Sequence, residues 1–324
     1  MKKLIIFLVA VIAIGLVCLY TIVPTKLNIS AVSYIQCPDN AATRFLADES
    51  RWKLWWPDSV AMVNNAVSKG GFAGTNTDGS FFYGGTTFTI AQKTFNGAVL
   101  STSFAGEKIT GNLVHAASSP DSLAVILQYA TTLSLNPLKR IEQYQEAQKL
   151  KKNSSAILNH LKSFLENREN VYGIVIKEIR VTDTLLMSTF FMSPTYPSVD
   201  AIYTSINKLK TYIAANGSQE TGFPMLNVTV IDSTHFKIRV GIPVNKALKE
   251  NADMQLKKMI PGRILVTEIK GGLQAIKNAY AQLHYYLADY DLSSPAIPFE
   301  SLISNRVQEK DSSKWITRIY YPIL

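Results

Sequence analysis

The sequence predicts an α+β chain in three parts: one apolar N-terminal helix, an antiparallel sheet followed by a long helix, and a strand–helix–strand–strand unit that occurs twice. Three observations predict it. Twenty uncharged residues run from Leu4 to Val23. Short β-type runs between Phe72 and Leu135 give way to an apolar period of three and four residues. From Leu185 onward the order of elements repeats itself.

The first segment, LIIFLVAVIAIGLVCLYTIV, would be roughly 30 Å long as a helix, the thickness of a bilayer's hydrocarbon core. A cleaved signal would also begin Met1-Lys2-Lys3, but its apolar stretch runs to about 7–15 residues and ends at a small-x-small site. Leu19-Tyr20-Thr21-Ile22 offers no such site, and bulky Val17 argues against lipoprotein processing at Cys18. Length therefore favours an uncleaved anchor over a cleaved signal or a lipoprotein. Lys2 and Lys3 favour a cytoplasmic N-terminus, and Lys26 weakens that only slightly. The expectation is a single-pass membrane protein whose body, from about Pro24, lies outside the cytoplasm, in the periplasm or at the surface of a bacterial cell.

The remaining residues are too many for one ordinary core and suit two domains. A hydrophobic content of 47% with 18% charged residues describes folded rather than disordered material. The net charge of +9 is spread along the chain. Its densest cluster, Lys149, Lys151 and Lys152, falls on a predicted helix and reads as a solvated face. No nucleic-acid-reading motif accompanies it, so no nucleic acid partner is expected; positive charge near an anionic bilayer has a simpler use. Cys18 and Cys37 predict no internal disulfide. His115, His160, His235 and His284 have no ligand spacing, so no metal or cofactor is expected.

After a short tether, Lys26 to Cys37 reads as a strand and Pro38 to Leu46 as a short helix. Trp52, Trp55 and Trp56 then crowd into RWKLWWP. The runs FFYGG, TTFTIAQKTF, AVLSTSF, KITGNLVHA and SLAVILQYATTLSL alternate as half-buried antiparallel strands do. From Pro137 to Asn167, apolar residues such as Ile141, Leu150, Ile157, Leu161 and Leu165 recur at helical steps, and their stripe must cover the preceding sheet. This order, with its Trp-rich segment, resembles the START-like (SRPBCC, polyketide cyclase and lipid-transfer) fold over residues 26–168. The resemblance implies a helix-grip domain with an apolar cavity between sheet and helix, with Trp55 and Trp56 among its ligand-binding residues.

In the second half, LLMSTF, a helix from Ser198 to Ala215, FPMLNVTVID and FKIRVGIPV make one copy. ILVTEI, a helix from Leu273 to Tyr290, IPFESLISN and WITRIYYPI make the other. Pro243 matches Pro322, Arg239 matches Arg318 and Phe236 matches Trp315 at one offset, while Pro224 matches Pro298 at another, because the last loop is longer in the second copy. Side by side, the two copies would join into one curved sheet with helices on one side.

RILVTEIKGGLQAIKNAYAQLHYYLADYDLSSPAIPFESLISN followed by WITRIYYPI resembles the second repeat of the GyrI-like (gyrase-inhibitor-like) effector-binding domain, here over residues 169–324 behind a membrane anchor of residues 1–25. The resemblance implies a pocket for hydrophobic or cationic lipophilic small molecules, with aromatic walls and a buried glutamate. Glu300 aligns with that glutamate. Relatives that are hydrolases imply an alternative in which Glu300 is a catalytic general acid/base.

Glu300 matches Leu226 of the first copy, so a charged residue stands where its sister unit is apolar. A poorly hydrated carboxylate there needs a partner or a ligand cation; otherwise the position is the solvated rim of an edge strand. Phe299 and Glu300 must face opposite sides of the strand, as must Tyr320 and Tyr321, so at most one tyrosine lines a pocket with Glu300. Phe299, Tyr320 and Tyr321 are candidate ligand-binding rings, each worth about 0.5–2 kcal/mol against a cation. Trp315 reads as core. The sequence holds no GxSxG, no Cys/His pair and no metal set. Small-molecule binding is therefore expected ahead of hydrolysis, and a membrane anchor stands where a DNA reader would be.

Overall fold

A computed structural model describes residues 2–57, 79–181, 184–232 and 234–324. It divides into two compact units, Met1–Asn167 and Arg168–Leu324.

The first unit opens with α1 (Lys2–Ile22), among the described residues the one helix long and apolar enough to cross a membrane. Where α1 ends, Arg140 reaches the chain from the body. Its Nε donates to Val23 O at 3.2 Å and its Nη2 to Thr25 Oγ1 at 3.2 Å, with the guanidinium 4.8 Å from the centre of the Tyr20 ring. Arg140 is fully buried, and these carbonyl, hydroxyl and ring contacts take the place of a carboxylate.

Beyond it lie β1 (Lys26–Ile35), α2 (Asp39–Leu46), α3 (Glu49–Trp55), five further strands and the long α4 (Pro137–Leu165). The strands β2 (Ser80–Tyr83), β3 (Thr86–Thr94), β4 (Gly97–Phe104), β5 (Glu107–Ser119) and β6 (Ser122–Thr132) form with β1 an antiparallel sheet in the order β1-β6-β5-β4-β3-β2. Residues 72–78 of the expected strand region lie outside the described residues. The Asn136 side chain caps α4 by accepting from Leu138 N and Lys139 N, with Pro137 at its first turn. The face carrying Leu150, Ile157, Leu158 and Leu161 is buried, and α4 packs against β1, β4 and β6. The β2–β3 turn needs glycine: Gly84 has φ of +57°, and a Cβ there would collide with the Asn153 amide, which donates to Gly84 O at 3.3 Å.

The tryptophans correct one expectation. Trp52, Trp55 and Trp56 pack on one another and on Phe81 and Phe88, with ring centroids 5.0–5.9 Å apart. Their indole N–H groups donate to Leu46 O, Phe45 O and Phe82 O at 2.9, 3.4 and 3.0 Å. The rings are 1% exposed or less. Trp55 and Trp56 are core residues with satisfied polar atoms, so they offer no ligand a free edge. Two of the histidines are likewise structural, His115 by its Nδ1 contact with Asp39 at 2.9 Å and His160 by donating to Trp55 O at 2.6 Å.

The second unit starts with α5 (Arg168–Tyr172) and β7 (Lys177–Val181). The first copy is β8 (Leu185–Ser193), α6 (Val199–Ala215), β9 (Met225–Asp232) and β10 (His235–Val244). After β11 (Gln255–Lys258) the second is β12 (Gly262–Lys270), α7 (Leu273–Asp289), β13 (Phe299–Leu302) and β14 (Ile316–Ile323). One antiparallel sheet results, in the order β11-β8-β10-β9-β13-β14-β12-β7. Each copy's preceding strand crosses to the other copy's edge: β7 pairs with β12 and β11 with β8. Neither crossing strand is anticipated by hydrophobic period, because each is short and largely polar. Ile202, Ile206, Leu209 and Ile213 of α6 meet Ile238, Val240 and Ile242 of β10 in the core, and on the same face of the sheet His284 of α7 meets Tyr321 of β14.

Trp55→Ala is expected to destabilise the first unit by about 3–5 kcal/mol in denaturant unfolding, the cost of a large core cavity. A loss below about 1 kcal/mol would instead mark a dispensable cavity wall.

Candidate functional site

The sheet joins its two copies at β9 and β13, where Glu300 stands directly opposite Leu226 and, on its other side, opposite Ile319. Residues paired across strands share a face. Leu226 belongs to the core under α6, so Glu300 points to the helix-covered face. It is 6% exposed. The two residues matched between copies are therefore neighbours at the seam, one apolar and one acidic.

The surroundings of Glu300 come from both copies. Tyr196 follows β8, and Tyr280 lies on α7 where the same offset puts Ile206 on α6. Burial chiefly, and then the carboxylate's charge, push the Tyr196 hydroxyl up to about 12. The same two causes raise Tyr280 further. Both hydroxyls are thus held protonated as donors. Tyr321, raised by burial, contacts His284 Nε2 at 3.1 Å.

Arg306 supplies the counter-charge. Its Nη2 lies 3.6 Å from Glu300 Oε2, ion-pair range but too long for a hydrogen bond, and the same nitrogen donates to Thr317 Oγ1 at 2.8 Å. Glu300 Oε2 is left without a hydrogen-bond partner. The Arg306 guanidinium stacks 4.8 Å from the centre of the Trp315 ring and is 7% exposed. Its loop is pinned by Tyr203, whose hydroxyl accepts from Arg306 N at 2.7 Å and donates to Ser304 O at 3.2 Å. Burial raises the Glu300 carboxyl above its ordinary value, with Arg306 opposing.

Of the expected site residues, Glu300 and Tyr321 share the helix-covered face. Phe299 and Tyr320 stack on each other on the opposite face, at 4.9 Å and 9°. They cannot wall a pocket around Glu300. Trp55 and Trp56 belong to the first unit. Trp315 is half-buried rather than core, and serves as the platform for Arg306. Sequence reasoning missed Arg306, Tyr196 and Tyr280. The Ile206-to-Tyr280 change was a readable signal, since it breaks the repeat as Leu226-to-Glu300 does. Arg306 sits in the longer loop of the second copy, where no counterpart exists for comparison. Among the described residues no group of three His, Cys, Asp or Glu side chains is placed to hold a metal ion.

Chemically, a buried carboxyl raised above its ordinary value can donate its proton and, once ionised, can pair with a cation. Residues 190–324 match the GyrI-like small molecule binding domain. The fold of this half is GyrI-like, and the family is one of small-molecule effector binding. No curated protein matches the chain. Among solved structures, the EcmrR C-terminal domain is similar at 19% identity over 47% of this chain and 98% of that one, with a TM-score of 0.39. A hydrolase from Listeria innocua is similar at 9% identity over 46% and 91%, TM-score 0.36, and SAV2435 bound to tetraphenylphosphonium at 16% over 47% and 94%, TM-score 0.31. The family match, not these likenesses, carries the assignment.

The raised Glu300 pKa sets a pH dependence. The folded carboxyl binds its proton more tightly than the unfolded one, whose ordinary value is 4.5. The resulting stability is fully present below that value and is lost as pH rises through the folded pKa. The melting temperature of the wild type minus that of Glu300→Gln should therefore fall on raising the pH from about 4 to about 8. A difference that stays flat, or grows, would contradict a raised pKa.

Proposed function

We propose that the chain is a membrane-tethered small-molecule-binding protein whose GyrI-like half takes a lipophilic organic cation against Glu300. The observation that carries the reading is a buried carboxylate with one oxygen without a hydrogen-bond partner, its ion pair with Arg306 long at 3.6 Å, and its charge felt by Tyr196 and Tyr280. A buried charge without full compensation is costly, and a desolvated cation beside aromatic faces repays that cost. Arg306, stacked on Trp315, occupies the position of such a cation and is displaced when the ligand enters.

A second reading, hydrolysis with Glu300 as general acid, is favoured by the direction in which burial moves its carboxyl, since a carboxyl that keeps its proton above the ordinary range is a better-placed proton donor. No nucleophile is provided by the residues described above, so binding stands first. The first unit we read as a START-like helix grip, supported by its six-stranded antiparallel order, the two short helices after β1 and the long closing helix. We read α1 as its anchor, Lys2 and Lys3 on the cytoplasmic side and the body outside, supported by length, hydropathy and charge. Alkaline extraction should leave the full chain in the membrane pellet; release into the supernatant would remove the tether.

Titrating the full chain in neutral detergent with tetraphenylphosphonium should show binding that Glu300→Gln weakens about tenfold or more, with neutral triphenylphosphine oxide unaffected. Arg306→Met should tighten the cation by removing its internal competitor. Equal cation affinity in the wild type and Glu300→Gln would end the carboxylate's role. Turnover of an ester panel, lost in Glu300→Gln, would favour the hydrolase.

A further inference from the structure

The face of the eight-stranded sheet away from the helices holds a cavity of about 650 Å³, a size typical of small-molecule sites. It is separate from Glu300, which points the other way. Its wall is largely apolar, Phe299 included, and among the described residues every charged side chain on it is a cation: Arg239, Lys257, Lys258 and Arg263. Among the described residues no Asp or Glu side chain lines it.

The repeat shows which of these cations lacks a partner. Arg239 and Arg318 occupy matching places on β10 and β14. Arg318 faces Glu268 across β12 and donates to it at 2.7 Å. Arg239 faces Phe190 across β8, so the carboxylate of one copy is a phenyl ring in the other. Half-buried, Arg239 reaches only Asn227 Oδ1, at 3.5 Å, and no carboxylate among the described residues. Arg263, by contrast, is held by Glu178 at 2.7 and 3.1 Å. Two residues along β10 from Arg239 and on the same face, Gly241 leaves the cavity floor bare. A guanidinium without a carboxylate partner, set in a largely apolar hollow with no Asp or Glu side chain among its described lining residues, is complementary to an anion attached to a hydrocarbon body.

We propose that this cavity binds a single-chain amphiphile with a carboxylate head, of the fatty-acid type. The head pairs with Arg239, Lys257 adds charge at the rim, and the chain lies along the apolar wall toward Phe299. The proposal does not depend on the cation reading of Glu300.

Isothermal titration of the full chain in a neutral maltoside detergent, corrected for partition into empty micelles, tests it with decanoate, decanol and decyltrimethylammonium. Decanoate should bind about tenfold or more tightly than decanol, and decyltrimethylammonium most weakly. Arg239→Gln should abolish the preference for decanoate and Arg239→Lys should keep part of it. Gly241→Leu, whose Cβ would have no neighbour closer than 3.8 Å, fills the cavity and should remove decanoate and decanol binding alike, which keeps the test open if Arg239→Gln fails to fold. Glu300→Gln should leave decanoate binding unchanged. Decanoate binding no tighter than decanol, or equally tight to Arg239→Gln, would overturn the proposal, and a tenfold preference for decyl phosphate over decanoate would overturn the carboxylate assignment.

Discussion

A carboxylate buried at the middle of a sheet has to be balanced, and much of the second unit is arranged around that requirement. Glu300 sits at the seam where the two copies meet, beside the leucine that occupies the matching place in the first copy. Its neighbours depart from the repeat in the same direction. The second copy has a tyrosine on α7 where the first has Ile206, and a longer loop that delivers Arg306. Thr317, Trp315 and Tyr203 then fix that arginine and its loop in place. The balance is incomplete, because 3.6 Å is too long for a hydrogen bond and one carboxylate oxygen has no donor. An incompletely balanced buried charge is a place where a ligand can make up the difference.

The opposite face shows the same device with the sign reversed. Arg318 keeps its glutamate, and its counterpart Arg239 has Phe190 instead. Duplication supplies the shape, one continuous sheet with each copy's preceding strand carried to the other copy's edge. Departures from the duplication supply the chemistry, an incompletely balanced carboxyl on one face and a guanidinium without a carboxylate partner among the described residues on the other. The two sites we propose, of opposite charge preference, would both rest on such departures from the repeat.

Much of this was legible beforehand, for definite physical reasons. The helices announce themselves by period, and β8 to β10 and β12 to β14 by alternation and matching prolines. The opposed facing of Phe299 and Glu300, and of Tyr320 and Tyr321, follows from the two-residue period of a strand. What escaped was set by tertiary context. The crossing strands β7 and β11 are short and polar because they are sheet edges, so they carry no core pattern. Phe299 and Tyr320 are adjacent to the site in sequence yet lie behind it, and Trp55 and Trp56 were drawn into the core by rings whose neighbours only folding reveals. Arg306 lies in a loop, where no period can announce a residue.

The central claim is that the broken symmetry at Glu300 makes a cation site on the helix-covered face. A crystal structure of the chain with tetraphenylphosphonium bound tests it most directly. The account predicts the phosphonium beside the Glu300 carboxylate, among Tyr196, Tyr280 and Tyr321, with the Arg306 side chain moved off Trp315. A phosphonium lodged instead in the cavity beside Phe299 and Arg239, with Arg306 still stacked in place, would contradict it.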